Sequence, residues 1–180
     1  MLLHAPEILS NSDLGVIAGR LDLAEWVSGG RTAGVQSVGV KNNLQLDVGG
    51  AISQEMSDLI KSKLSASKIF QSAALPKHIL PPMFNRYEHG GTYGNHIDNA
   101  IMLDRSTGQK IRTDVSVTVF LNNPDDYEGG DLVIEDSFGC HEVKLPAGDA
   151  IIYPSTSLHR VEPVTKGVRL ASFTWFQSLA

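Results

Sequence analysis

Cysteine is nearly absent: Cys140 is the one cysteine in 180 residues. That excludes an intramolecular disulfide framework and a cysteine-rich zinc site, and it suits a reducing compartment. No apolar run approaches the roughly 20 residues of a membrane span. The N-terminus MLLHAPEILSNSD lacks both the basic region and the longer apolar stretch of a secretory signal. A soluble cytoplasmic protein with no membrane partner is therefore expected. Positive charge is not in excess either. The net charge of -5 gives no electrostatic footprint for nucleic acid and argues against such a partner. There is no internal repeat and no low-complexity linker, and the length suits a single domain with a sizeable core.

What is present divides into two parts. Within residues 1–78, Ser12 and Asp13 can cap a helix reaching to about Val27, with Leu14, Ile17, Ala18, Leu21 and Ala24 spaced three or four apart. Gly29 and Gly30 would end it. A second helix is predicted over 53–65, with Met56, Leu59, Ile60 and Leu64 on one face. A strand is expected within VQSVGVKNNLQLD. From 79 to 180 the pattern changes to short β-like runs: ILPPMFNRYE, VSVTVFLN, GDLVIED, HEVKL, AIIYP and RLASFTWFQ. Gly, Pro, Asn and Asp separate them, which points to a sandwich or barrel. The architecture expected is mainly β, one core with helices from the N-terminal part packed on it.

One segment carries chemistry: NRYEHGGTYGNHIDNAIM. Side chains two apart on an extended chain point to the same face, so His96 and Asp98 can offer one metal two ligands. By itself a His-x-Asp is common and usually a loop or a satisfied polar pair. Of the remaining histidines, His159 has the most informative context. It follows the apolar run 150–153 and the turn Pro-Ser-Thr-Ser, and another apolar run lies beyond it. A strand returning beside the first would set it next to His96. Two imidazoles and a carboxylate on one face of a metal suit iron(II), with the opposite positions open. Zinc hydrolysis uses similar sets. Arg169 starts the apolar run RLASFTWF, and pointing inward it would need an anion. A dicarboxylate such as 2-oxoglutarate, chelating iron at one end and meeting Arg169 at the other, answers both needs. His4, His78 and His141 read as ordinary histidines.

The segments RYEHGGTYGNHID, RTDVSVTVFLNNPDDYEGGDLVIED and VKLPAGDAIIYPSTSLHRVEPVTKGVRLASFTWFQS resemble the prolyl-4-hydroxylase-like 2-oxoglutarate/iron(II)-dependent dioxygenases. Within that group the resemblance is to the PKHD-type hydroxylases. It spans most of residues 79–178 and implies a double-stranded β-helix, or jelly roll. It further implies iron at His96, Asp98 and His159, 2-oxoglutarate at Arg169 with Tyr87 nearby, and ascorbate as a reductant. Tyr87 and Tyr93 also read as core tyrosines with satisfied hydroxyls. Two features depart from the resemblance. Phe120 stands where animal prolyl hydroxylases use a tyrosine to hold the cosubstrate. Relatives often run on into a helical C-terminal segment, whereas this chain ends at Ala180; that segment would bear on oligomerisation or on cover for the site.

The polar stretch 103–114, LDRSTGQKIRTD, reads as either a solvated connector or a substrate lid. NNPDDYEGGD reads as a tight solvated loop. Two other functions compete, a jelly-roll binding module without oxidation and a zinc hydrolase. The expected activity is hydroxylation with release of succinate and CO2. The substrate would be a peptidyl-proline or other protein side chain, or a free amino acid or small metabolite.

Overall fold

The computed structural model describes residues 1–32 and 38–180. Two antiparallel sheets face each other. The larger, 8-stranded sheet runs in the order Leu3–Ala5, Ala150–Pro154, Val115–Phe120, Arg169–Ser178, Met83–Tyr87, Leu44–Leu46 and Trp26–Ser28. Pro76–Ile79 also pairs with the long Arg169–Ser178 strand. The 5-stranded sheet runs Gly139–Val143, Leu132–Asp136, Leu158–Val161, Thr92–His96 and Lys41–Asn42. From Val115 onward the chain crosses repeatedly between the two sheets, which winds them into a jelly roll.

Alternation along each strand decides what goes where. On Val115–Phe120, Val117 and Val119 face a helix-covered core, whereas Phe120 turns into the space between the sheets. On Arg169–Ser178, Phe176 joins the helix-covered core and Arg169 points the other way. Three helices cover the outer face: α1 (Asn11–Leu21), α2 (Ala51–Ala66) and α3 (Lys68–Ala74). Ile17, Leu21, Met56, Ile60, Leu64 and Phe70 pack there on Phe84, Ile152 and Phe176. Burying each of these side chains contributes roughly 1.5–3 kcal/mol. Phe70 meets Phe176 edge to face at 5.0 Å.

Several local expectations shift. α1 begins earlier than expected because Ser10, not Ser12, caps it. The Ser10 hydroxyl accepts from the Asp13 amide at 3.1 Å, and the Asp13 carboxylate accepts from the Ser10 amide at 2.9 Å. It also stops at Leu21, short of Val27, since Trp26 and Val27 pair as a strand with Leu44–Leu46. Aromatic and β-branched side chains suit that sheet edge better than a helix end. The second helix lies as predicted, a residue or two longer at each end, whereas α3 carries too short a pattern to have been predicted. Residues 35–37 of the expected strand in VQSVGVKNNLQLD lie outside the described residues. Its remainder forms two short strands, Lys41–Asn42 and Leu44–Leu46, that join different sheets. Residues before 79 thus add strands to both sheets.

NNPDDYEGGD is more ordered than a plain loop. Asn123 and Asp126 form a capping box, and Tyr127–Gly129 pairs with Val164–Gly167. Gly129 has φ +71°, and a Cβ there would lie 2.1 Å from the Pro163 carbonyl oxygen, so only glycine fits. The stretch 103–114 is part of a β-hairpin, Ile101–Leu103 against Lys110–Arg112. No helix among the described residues is long and apolar enough to cross a membrane.

Candidate active site

Between the sheets the structure brings together residues far apart in sequence. His159 sits directly opposite His96 in the ladder between Leu158–Val161 and Thr92–His96, and the two rings lie 4.2 Å apart. The strand ends at His96, so Asp98 is held differently from the expected continuous strand face. Its amide donates to the Ser155 carbonyl at 3.2 Å. That bond keeps the alternation going, with Ile97 outward and Asp98 inward. An Asp98 oxygen lies 4.0 Å from His96 Nε2 and another 3.7 Å from His159 Nε2. These separations are too long for hydrogen bonds. The donor atoms of all three residues lie within 4.8 Å of one another, facing one gap.

Neighbouring groups orient the three side chains. His96 Nδ1 donates to the Gly94 carbonyl at 2.7 Å, and His159 Nδ1 to the Ser157 carbonyl at 3.0 Å. Each Nε2 lone pair is thereby left facing Asp98. Val40 packs against Gly94, where a Cβ would come within 2.9 Å of the valine Cβ. Tyr93 stacks on His96 at 3.6 Å and 13°, and Tyr153 meets His159 edge-on at 5.1 Å. The Ser116 hydroxyl donates to Asp98 Oδ2 at 2.6 Å, and the Ser155 hydroxyl lies 2.8 Å from that of Ser116. Burial, and after it the neighbouring His159, pull the His96 pKa down to about 4, so the ring is neutral.

The same pocket continues to Arg169, which is 1% exposed. Its guanidinium lies 5.2 Å from the Tyr87 ring and 5.4 Å from the Phe120 ring. Its Nε and Nη1 have no hydrogen-bond partner, and no carboxylate among the described residues forms an ion pair with it. A buried guanidinium in this condition is costly unless an anion completes it. Tyr87 is opposite Arg169 in the strand register, and its hydroxyl accepts from Asn85 Nδ2 at 3.4 Å. Burial raises the Tyr87 pKa to about 12 despite the nearby Arg169, which keeps the phenol protonated.

His4, His78 and His141 are outside this pocket, each paired with an aspartate: Asp149 at 2.7 Å, Asp104 at 2.7 Å and Asp136 at 3.1 Å. Sequence reasoning missed Ser116, Ser155 and Tyr153. A faint signal existed for Ser116 and Thr118, which alternate with valines in an otherwise apolar strand.

Comparison with known proteins shows the family and the fold. Residues 82–177 match the family described as the 2OG-Fe(II) oxygenase superfamily. A PKHD-type hydroxylase of Hyphomonas neptunium is 58% identical over 178 residues, covering 99% of this chain and 79% of the relative. One of Aliarcobacter butzleri is 54% identical with the same coverage. Among solved structures, a Pseudomonas putida prolyl-4-hydroxylase superposes with a TM-score of 0.64 at 20% identity, covering 99% of this chain and 93% of that one. HygX of Streptomyces hygroscopicus, solved with nickel and 2-oxoglutarate, superposes at 0.66 with 13% identity, covering 99% and 83%. At such identities these two likenesses concern the fold.

Proposed function

The chain belongs to the 2OG-Fe(II) oxygenase superfamily, among its PKHD-type hydroxylases, and we propose that His96, Asp98 and His159 hold its iron and Arg169 its cosubstrate. The protein is an iron(II)- and 2-oxoglutarate-dependent dioxygenase that hydroxylates a substrate and releases succinate and CO2. The observation that carries the residue assignment is the buried guanidinium of Arg169, with Nε and Nη1 unpartnered, in the pocket that also holds the three candidate ligands.

The donor set fits the metal: two imidazoles and one carboxylate, oriented by outer hydrogen bonds, with one side of the gap open to the pocket. Iron and 2-oxoglutarate, when bound, supply the oxidation, in which the cosubstrate loses CO2 and one oxygen atom of O2 enters a substrate C–H bond. The chain's own residues orient and exclude water. Arg169 meets the distal carboxylate with two charge-assisted donors. Tyr87 offers its protonated hydroxyl from the adjacent strand. Phe120 gives Arg169 a ring face without a hydroxyl, and Tyr153, one strand over, supplies the missing donor. Ser116 and Ser155 hold the Asp98 carboxylate in place. Ascorbate would be the reductant for that iron, as the family resemblance implies.

A zinc hydrolase would need a general base beside the metal. Among the described residues lining the pocket, Asp98 is the only acidic one and the histidines are both candidate ligands, which leaves no carboxylate or imidazole for that role. Anaerobic titration of the apo-protein with iron(II) and 2-oxoglutarate tests the assignment through the visible metal-to-ligand charge-transfer band. The band is expected in the parent, lost in His159→Ala and weakened in Arg169→Met. Iron binding with no band in the parent overturns the cosubstrate assignment.

A further inference from the structure

The pocket has a second end that iron and 2-oxoglutarate do not account for. Phe173 and Trp175 lie on the same strand face as Arg169, four and six residues further on, and meet edge to face at 5.5 Å. Met83 reaches the same wall from the neighbouring strand, and Met102 and Leu103 approach it from the hairpin. This end is apolar and partly open to solvent.

Two further cations line the same pocket. Lys41 lies on the edge strand opposite Tyr93, its ammonium 5.1 Å from the Tyr93 ring that stacks on His96. Burial pulls the Lys41 pKa down to about 8, only partly countered by Asp98. Arg105 comes from the hairpin turn and is exposed at the pocket wall. Among the described residues no carboxylate pairs with it. The neighbouring Asp104 is buried and turned away, bonded to His78 Nε2 at 2.7 Å and to the Ser106 amide at 2.8 Å. Those bonds fix the turn that carries Arg105. Asp98 is the only acidic lining residue among those described and is already assigned to the metal. In a chain of net charge -5, the pocket lining therefore carries more cations than anions, and such a surface favours an anion.

We infer that the substrate is an apolar or aromatic carboxylate, its carbon skeleton against Met83, Phe173 and Trp175 and its carboxylate held by Lys41 and Arg105. This rests on the function proposed above. The shared chemistry is a carboxylate on an apolar skeleton, carried either by a free acid or by a peptide C-terminus. With the skeleton against the aromatic wall, a C–H bond is presented toward the gap between His96, Asp98 and His159.

The test uses anaerobic enzyme loaded with iron(II) and 2-oxoglutarate, in a Trp26→Phe background so that Trp175 is the remaining tryptophan. The probes are N-acetyl-L-leucine and 3-phenylpropionate, their amides, and Gly-Gly-Leu with a free or amidated C-terminus. Trp175 fluorescence and the charge-transfer band report binding. The free carboxylates are expected to bind and the amides to bind at least about tenfold more weakly. Lys41→Gln and Arg105→Gln should each weaken the carboxylates about tenfold while shifting 2-oxoglutarate much less. Lys41→Arg and Arg105→Lys should recover most of the loss. Preference for 3-phenylpropionate or for Gly-Gly-Leu identifies the source. Equal binding of acids and amides, no binding by any acid, or unchanged affinity in both Gln variants overturns the inference. Absence of the band in the loaded parent counts against the proposed function instead, and Trp175 fluorescence then still reads carboxylate binding without the metal.

Discussion

The two faces of the 8-stranded sheet are built from the same strands and have opposite character. Toward the helices the residues are Phe84, Val117, Val119, Ile152 and Phe176, apolar and closely packed. Toward the smaller sheet they are Asn85, Ser116, Thr118, Tyr153 and Arg169, polar, buried and in part unpartnered. One residue stabilises the fold, and the next serves the site. The strand's period of two thus separates stability from chemistry over a distance of a single peptide. The helix-covered face can be rigid because nothing has to bind there. The inner face keeps unsatisfied donors that a ligand completes, at a cost to the unliganded fold.

The sharpest break of this comparison is on the helix side. Phe70→Ala leaves a cavity against Phe176 and is expected to lower unfolding free energy by about 3–5 kcal/mol, read by denaturant titration. The half-saturating 2-oxoglutarate concentration of the folded fraction should stay close to the parent's. Arg169→Met gives the reverse pattern. Affinity for 2-oxoglutarate should fall about a hundredfold, the scale of losing one side of a buried charge pair. The unliganded melting temperature should hold or rise, because a desolvated guanidinium is replaced by apolar volume. A clear drop in melting temperature would mean that Arg169 has a structural partner after all.

A smaller effect is expected from Ser116→Ala, which removes the hydroxyl from Asp98. Iron affinity should fall about 10- to 100-fold, measured by competition with a chelator, with little change in stability. Smallest of all, Asp104→Asn tests whether the hairpin is anchored to the barrel. Burial alone would raise the Asp104 pKa from 3.8, but hydrogen bonds from Ser106 and His78 outweigh it and hold the value near 2. A depressed carboxylate pKa stabilises the fold above its unfolded value and loses that contribution as pH falls through the folded one. The parent should therefore lose about 2 kcal/mol between roughly pH 4 and pH 2. Asp104→Asn should already lack that contribution at neutral pH and show a flatter acid limb.

Much of the β architecture was legible because alternating apolar runs bounded by Gly, Pro, Asn and Asp mark strands whatever their partners. The runs around Val115, Leu132, Ala150 and Arg169 all formed strands close to where their patterns lay. The strands Leu3–Ala5 and Trp26–Ser28 were not legible, and the one strand expected within VQSVGVKNNLQLD gave no sign that Lys41–Asn42 and Leu44–Leu46 would part into different sheets. Each is two or three residues long, and a segment that short has no period of its own. It is a strand only because a sheet edge offers hydrogen bonds. The first helix was overextended for the same reason, since Trp26 and Val27 fit the helical pattern until the edge strand Leu44–Leu46 competes for them.

The sequence by itself determined which side chains could do chemistry: His96 and Asp98 two apart, His159 after a turn, and Arg169 at the head of an apolar strand. Local spacing and residue type carry that information, and they do not depend on the rest of the chain. Tertiary structure alone decided that His159 stands opposite His96, that Ser116 and Ser155 support Asp98, and that Arg169 is buried with no carboxylate among the described residues paired to it. It also brought Lys41 and Arg105 to the lining of one pocket. Those relations join residues from separate strands and a hairpin, so they exist only once register and sheet pairing are fixed. Register is set cooperatively by the whole buried core.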